Sequence, residues 1–328
     1  MDELERSRPV DLTDRILYLR SIPVTATLPP VVLRAIAAEL RVRDFARGDA
    51  LMREGEPIVA MHLLTEGSLS LSKGGQTIGS LAPPQSLGFL GILAGGDGTY
   101  DAVAAEPTRS LELASDALLE LMEDYFLLLS STVRYLAERM YQEMRDLPAE
   151  ALGFPFPDVP DLGDREIDLV ERIVFLRRIT TLRKTNINAL AVMAQQVTPV
   201  RYAEGTVAWR PGDPSGQALF LVSGTVKCTT EDGRVFRYGP ETVVGGIESL
   251  AQAPRWYEVE TETPVVAFVG SGDALLDLFE DNFSMAMDFV RTLADGLTKL
   301  VARKAAMGER PLEVKRSVSK LGSVPVGA

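Results

Sequence analysis

The chain has a single cysteine and a single histidine in 328 residues. Cys228 alone excludes an intrachain disulfide, and Cys228 with His62 cannot supply a four-ligand zinc site. Any Ser-His-Asp triad would have to run through His62, and any thiol–imidazole pair through both singletons. Both lie in β-like runs, Ala60-Met61-His62-Leu63-Leu64 and Thr225-Val226-Lys227-Cys228. His62 reads as a structural or surface imidazole and Cys228 as a small strand residue. Long apolar runs are missing too. The greasiest stretch, around Tyr125 to Leu129, is far too short to span a bilayer, and the charged start Met1-Asp2-Glu3-Leu4-Glu5-Arg6 has no apolar segment behind it. Positive charge is in deficit: 34 Lys and Arg face 46 Asp and Glu, a net charge of -12. That excess of one sign argues against a general nucleic-acid binder. The expectation is a soluble, cytoplasmic chain with no nucleic-acid partner and no membrane span.

What is present is an ordinary globular mixture, 46% hydrophobic and 24% charged, at a length usually divided between two cores. The chain also repeats itself once. Gly48 falls on Gly205, Gly55 on Gly212, Gly67 on Gly224 and Gly88 on Gly245, at a constant offset of 157 positions with no insertion. The register extends to Asp11-Leu12 on Asp168-Leu169, Asp116-Ala117-Leu118-Leu119 on Asp273-Ala274-Leu275-Leu276, Val133-Arg134 on Val290-Arg291, and Leu136-Ala137 on Leu293-Ala294.

Each copy opens with helical spacing, Leu12, Ile16 and Leu19 in the first and Leu169, Ile173 and Leu176 in the second. A second short helix follows in each, with Pro29-Pro30 as a start signal in the first. Short β-like runs punctuated by glycine come next, with Gly74-Gly75 and Asp232-Gly233 placed as hairpin turns. Helical pattern returns from Asp116 to about Met144 and from Asp273 to about Met307, Asp116 and Asp273 reading as first-turn or N-cap carboxylates. The expected fold is α+β: two tandem antiparallel β-barrel or jelly-roll domains, each flanked by helices. The expected boundaries are domain 1 over 1–145, a stiff Pro-rich linker over 146–166 carrying Pro148, Phe154, Pro155, Phe156, Pro157 and Pro160, domain 2 over 167–307, and a disordered tail over 308–328.

The framework Phe45-x-x-Gly48, Glu54-Gly55 and Leu64-x-x-Gly67, with Tyr202-x-x-Gly205, Gly212-Asp213 and Val222-x-Gly224 in the second copy, resembles the cyclic nucleotide-binding domain family. Ligand binding in that family rests on a cassette after the sixth strand, where a Gly-Glu pair opens a short helix and an Arg follows about ten residues on. Helix N–H groups and the guanidinium meet the cyclic phosphate, and the carboxylate takes the ribose hydroxyl.

In the first copy Phe89 stands at the Glu position and Gly98 or Thr99 at the Arg position, with Asp97 nearby. A cyclic phosphate would meet the wrong sign of charge there, and the resemblance implies an incompetent site filled by protein groups such as Phe89. In the second copy Pro254-Arg255 occupies its expected place, while Gly246 replaces the Glu and Trp256 replaces a small residue. If that site works, the resemblance assigns it Gly245, Gly246, Ile247, Glu248, Arg255 and Trp256, with cAMP or cGMP as ligand. Glu248 would then stand in for the missing Glu in a helix that starts late. The other reading of Arg255 is a loop arginine paired on the surface with Glu248 or Glu258, and the balance leans that way.

Arg177-Arg178-Ile179-Thr180 looks like a basophilic kinase site but falls at a helix end, where cations are expected anyway. The two copies leave no room for an attached enzyme, and about twenty residues after Gly308 are too few for a helix-turn-helix domain. The functional expectation is a non-enzymatic regulatory or assembly module that engages a protein partner or itself through its apolar helix faces. The alternative is a cAMP or cGMP sensor that binds through domain 2 and signals through its terminal helices.

Overall fold

The computed structural model describes residues 10–153, 155–159 and 165–306. The first repeat contains α1 (Leu12–Arg20), α2 (Pro30–Glu39), β1 (Arg41–Phe45), β2 (Ala50–Met52), β3 (Ala60–Glu66), β4 (Leu69–Lys73), β5 (Gln76–Leu81), β6 (Ser86–Leu87), α3 (Phe89–Ala94), β7 (Asp101–Ala104), β8 (Thr108–Ala114), α4 (Ser115–Asp124) and α5 (Phe126–Arg145). A helical turn, α6 (Ala149–Leu152), leads on. The second repeat contains α7 (Leu169–Arg178), α8 (Ile187–Gln196), β9 (Thr198–Tyr202), β10 (Val207–Trp209), β11 (Ala218–Ser223), β12 (Val226–Thr230), β13 (Val235–Tyr238), β14 (Val243–Val244), α9 (Gly246–Ala251), β15 (Tyr257–Thr261), β16 (Val265–Gly270), α10 (Gly272–Glu280) and α11 (Phe283–Ala306).

Each repeat builds two antiparallel four-stranded sheets. The orders β1-β8-β3-β6 and β2-β7-β4-β5 in the first recur as β9-β16-β11-β14 and β10-β15-β12-β13 in the second. The duplicated sequence thus folds as a duplicated jelly roll. Local chemistry repeats with it. Asp11 and Asp168 both close capping boxes, accepting from the backbone N–H of Asp14 at 2.9 Å and of Glu171 at 2.8 Å. The four matched glycine pairs all have positive φ. At Gly67 and Gly224 the need goes beyond φ, since a Cβ would stand 2.5 Å from the Pro107 carbonyl oxygen and 2.2 Å from that of Pro264.

The terminal helical patterns, continuous in sequence, break into α4 and α5 at Tyr125, and into α10 and α11 at Asp281–Asn282. No Gly or Pro marks either break. The two halves have different partners: α4 buries Leu118, Leu121 and Met122 in its own repeat, whereas α5 leaves its barrel. Asp116 and Asp273 lie in first turns, not at N-caps; Ser271 caps α10.

The two repeats exchange their last helices. α5 packs against α9 of the second repeat, α11 packs against α3 of the first, and α5 and α11 lie against each other. The repeated Val-Arg-x-Leu-Ala motif forms this seam. Val133, Leu136, Ala137, Val290, Leu293 and Ala294 are all essentially inaccessible and belong to one apolar cluster. The two alanines let the helix axes approach closely, and each buried leucine contributes about 2–5 kcal/mol by the usual cost of truncation. The apolar faces expected to dock a partner are spent largely within the chain. An ion pair also crosses the seam: Lys304 Nζ lies 3.0 Å from Glu143 Oε2, both side chains buried, with Arg139 at 3.2 Å on the carboxylate's other oxygen.

The segment expected to be an extended linker departs from that expectation over Ala149–Leu152, which is helical and buries Ala151 and Leu152 in the core of the second barrel beside Tyr141 and Leu147. Apolar side chains too few to make a core of their own cover the barrel instead. Phe154, Pro160 and the tail 308–328 lie outside the described residues.

Candidate functional site

The second cassette begins where β14 ends. Gly245 takes a left-handed conformation (φ 76°) as N-cap of α9, and Gly246 is the first helical residue. The helix therefore starts at once, and Glu248 falls in its first turn, facing inward and 3% exposed. Ile247 is partly buried between the barrel core and the seam core. Ser215 secures the helix by donating its hydroxyl to the Glu248 carbonyl at 2.9 Å.

Arg255 is 4% exposed, so the surface pairing towards which the sequence leaned is overturned. Glu258 pairs instead with Arg210 at 3.5 Å. The Arg255 guanidinium donates from Nη1 to the Gly245 carbonyl at 3.0 Å and from Nη2 to the Gln217 carbonyl, and it stacks 4.0 Å above the Trp209 ring. It approaches so closely that a Cβ on Gly245 would stand 2.2 Å from Nη1, which explains that glycine independently of any ligand. Nε is buried without a partner. Burial lowers the Arg255 pKa, opposed by the charge of Glu248.

Glu248 lies among aromatic side chains. Burial pushes its carboxyl pKa up, while its own backbone amide, the Arg255 charge and hydrogen bonds from Tyr257 and Trp256 pull it back. Trp256, 8% exposed, stacks on Phe236 at 6.0 Å and meets Tyr257 edge-on at 4.9 Å. Cys228 and Tyr238 complete the wall, and burial raises the pKa of both. From the first repeat, Tyr141 donates its hydroxyl to the Pro254 carbonyl at 3.1 Å, and Leu147 offers its carbonyl to Arg234. All six residues singled out from sequence are thus brought together. Sequence reasoning missed Trp209, Gln217, Tyr257 and Tyr141. Trp209 carried a weak signal as one of only two tryptophans in the chain; Tyr141 carried none, because it belongs to the other repeat.

In the first cassette, Gly88 (φ 88°) caps α3 in the same way. Phe89, however, does not fill the barrel. Its ring lies 6.4 Å from Tyr135 of α5 and packs with the seam core. The barrel interior is built instead from Leu64, Leu69, Leu87, Ala102 and Ala104, with Tyr100 against them. The cation that approaches this cassette is Arg291 of α11, whose Nε comes 3.0 Å from the Cβ position of Gly95 at the far end of α3; its guanidinium is half-exposed and paired with Asp288. The equivalent Arg134 of α5 reaches the Leu250 carbonyl at 3.4 Å and Asp273 at 2.9 Å.

His62 is a structural imidazole: buried in β3, it bonds Ser110 Oγ at 3.1 Å and meets Phe45 edge-on, and burial lowers its pKa. Arg177 and Arg178 close the last turn of α7, as cations at a helix end should.

The profile of the cyclic nucleotide-binding domain family matches residues 42–125 and 199–282, one jelly roll each. The chain belongs to that family. Among curated proteins, its sequence is 34% identical over 91 residues to the acetyltransferase Pat of Mycolicibacterium smegmatis, covering 26% of this chain and 27% of that one. It is 26% identical over 129 residues to a cAMP-dependent protein kinase regulatory subunit of Hypocrea atroviridis, covering 39% of this chain and 28% of that one. The chain thus spans little more than a quarter of the length of either relative. Among solved structures, the guanosine-bound regulatory subunit of a cAMP-independent protein kinase A from Trypanosoma cruzi is 14% identical with a TM-score of 0.35, over 92% of this chain and 94% of that one. Among the described residues, no helix is long and apolar enough to cross a membrane.

Proposed function

We propose that this protein, with its two domains of the cyclic nucleotide-binding family, is a non-enzymatic regulatory or assembly module whose cassettes are occupied by its own groups. The observation that carries this reading is the state of Arg255. A guanidinium that must meet a cyclic phosphate is spent on two backbone carbonyls and an indole face inside the barrel, and Trp256, Tyr257 and Phe236 take up the adjoining space. A phosphate entering would have to break those bonds, expel ordered aromatic rings and face buried Glu248 with no cation to spare. In the first repeat no Arg stands at the cassette position, and Arg291 lies at the wrong end of α3.

With the seam helices engaged inside the chain, the surface left for a protein partner includes the first helix of each repeat. Leu17 on α1, 63% exposed, and Val170 on α7, 67% exposed, stand in solvent with their neighbours Leu12, Leu169 and Val174. Isothermal titration of the intact chain with cAMP, cGMP and cyclic dinucleotides tests the reading: no saturable heat is expected. Tight binding abolished by Arg255→Ala would replace it with the second reading, a nucleotide sensor acting through the second repeat. The unpartnered Nε of Arg255, already beside the N-terminus of α9, is the observation that favours that alternative.

A further inference from the structure

A cavity of about 850 Å³ lies on the opposite side of α9 from the barrel interior, between that helix, the seam and the loop after α7. Its size is that of a site for a small organic molecule. The walls are mostly apolar and come from both repeats: Met140 of α5, Phe220 of β11, Ile247 of α9, Leu275 of α10, and Phe289 and Leu293 of α11, with uncharged polar groups such as Thr242 and Ser249 among them. Charge is confined to the mouth. There Arg178 is neutralised by Glu241 at 3.2 Å. Arg183 is exposed and makes no ion pair among the described residues.

One unspent cation at the rim of a half-open, mostly apolar cavity is complementary to one anionic head on an apolar tail. We propose that this cavity binds a long-chain carboxylate of the fatty-acid class, with the tail along Phe220, Ile247 and Leu293 and the head at Arg183. Because Ile247 belongs to the cassette helix and Met140 and Leu293 to the exchanged helices, the occupant would hold α9 and the seam together. Its binding would therefore favour the arrangement in which the two repeats are engaged. The assignment does not depend on whether either cassette accepts a nucleotide.

The test is a fluorescence titration of the full chain with 11-(dansylamino)undecanoate, displaced by palmitate and, in parallel, by hexadecanol. Saturable one-to-one binding is expected. Ala274→Phe, which places a ring in the cavity, should weaken it at least about tenfold. Arg183→Glu, at an exposed position where folding is not at stake, should weaken palmitate roughly three- to tenfold while leaving hexadecanol unchanged. The absence of saturable binding, or binding indifferent to Ala274→Phe, would overturn the site. Should Ala274→Phe not fold, Arg183→Glu decides alone: equal affinities for palmitate in the parent and this variant would overturn the carboxylate assignment.

Discussion

Replacing Arg255 by alanine should destabilise the chain in the absence of any ligand. The side chain makes two charge-assisted hydrogen bonds to backbone carbonyls, each contributing about 1.5–3 kcal/mol, and a water-excluded stack on Trp209 that contributes about 2 kcal/mol. Against these stands the cost of holding a guanidinium out of water, several kcal/mol, which its lowered pKa reflects. The Gly245 carbonyl keeps a second donor, the Ser249 amide at 3.1 Å, and is not stranded by the substitution. The expected net loss is about 2–3 kcal/mol, with Arg255→Lys intermediate because one ammonium cannot span both carbonyls. Urea unfolding followed by tryptophan emission is the assay. The only two tryptophans, Trp209 and Trp256, both line this site, so the signal reports the second barrel itself. A loss below about 1 kcal/mol, the level of an exposed ion pair, would refute the claim that the guanidinium supports the ligand-free barrel.

Glu248→Gln should raise stability at neutral pH. The folded-state pKa of this carboxyl is raised, so the folded chain binds the proton more tightly than the unfolded one, and stability present below the ordinary carboxylate range is lost as pH rises through the folded pKa. Melting temperature against pH should flatten in the variant on that upper side, and an unchanged slope would count against a buried acid. Lys304→Met should cost about 2 kcal/mol by denaturant titration, less than the roughly 3–5 kcal/mol of a stranded buried charge, because Arg139 still holds Glu143. The double variant with Glu143→Gln should regain part of that loss. Cys228 is fully buried with its thiol pKa raised, so a disulfide reagent should find no reactive thiol in the native chain and one equivalent after denaturation; fast native reaction would show that the second barrel opens.

Sequence spacing made the duplication legible because the constraint is local. A glycine with positive φ at a barrel corner, or a carboxylate three residues before the amide it caps, must recur wherever the same corner or helix start recurs. His62 and Cys228 were legible as strand residues, Cys228 in an alternating strand and His62 in one buried on both faces. Phe89 was misjudged because a family position was equated with a direction: the ring turns to Tyr135 once α5 lies over the cassette. Arg255 was misjudged because its acceptors are carbonyls of Gly245 and Gln217, and main-chain acceptors leave no mark in a sequence. The helical turn at Ala149–Leu152 and the role of Tyr141 were invisible because both serve the opposite repeat.

That exchange changes what the repeat motif means. Val133, Leu136 and Ala137 and their counterparts read as the apolar face of a helix awaiting a partner; the partner is the other copy of the same motif. Two surfaces that would meet only at high concentration as separate domains are held on one chain, so pairing requires little affinity of its own. The arginine within the motif, Arg134 or Arg291, arrives each time at the far end of the opposite cassette helix. In the second repeat its bond to the Leu250 carbonyl ties α9 to α5, and Tyr141, about two turns further along the same face, ties α5 to Pro254 just before Arg255. Any displacement of α9 by a ligand must therefore move a helix that belongs to the first repeat. The two barrels are thus coupled mechanically through α5 and α9, and a change in the one cassette helix is felt by the other repeat.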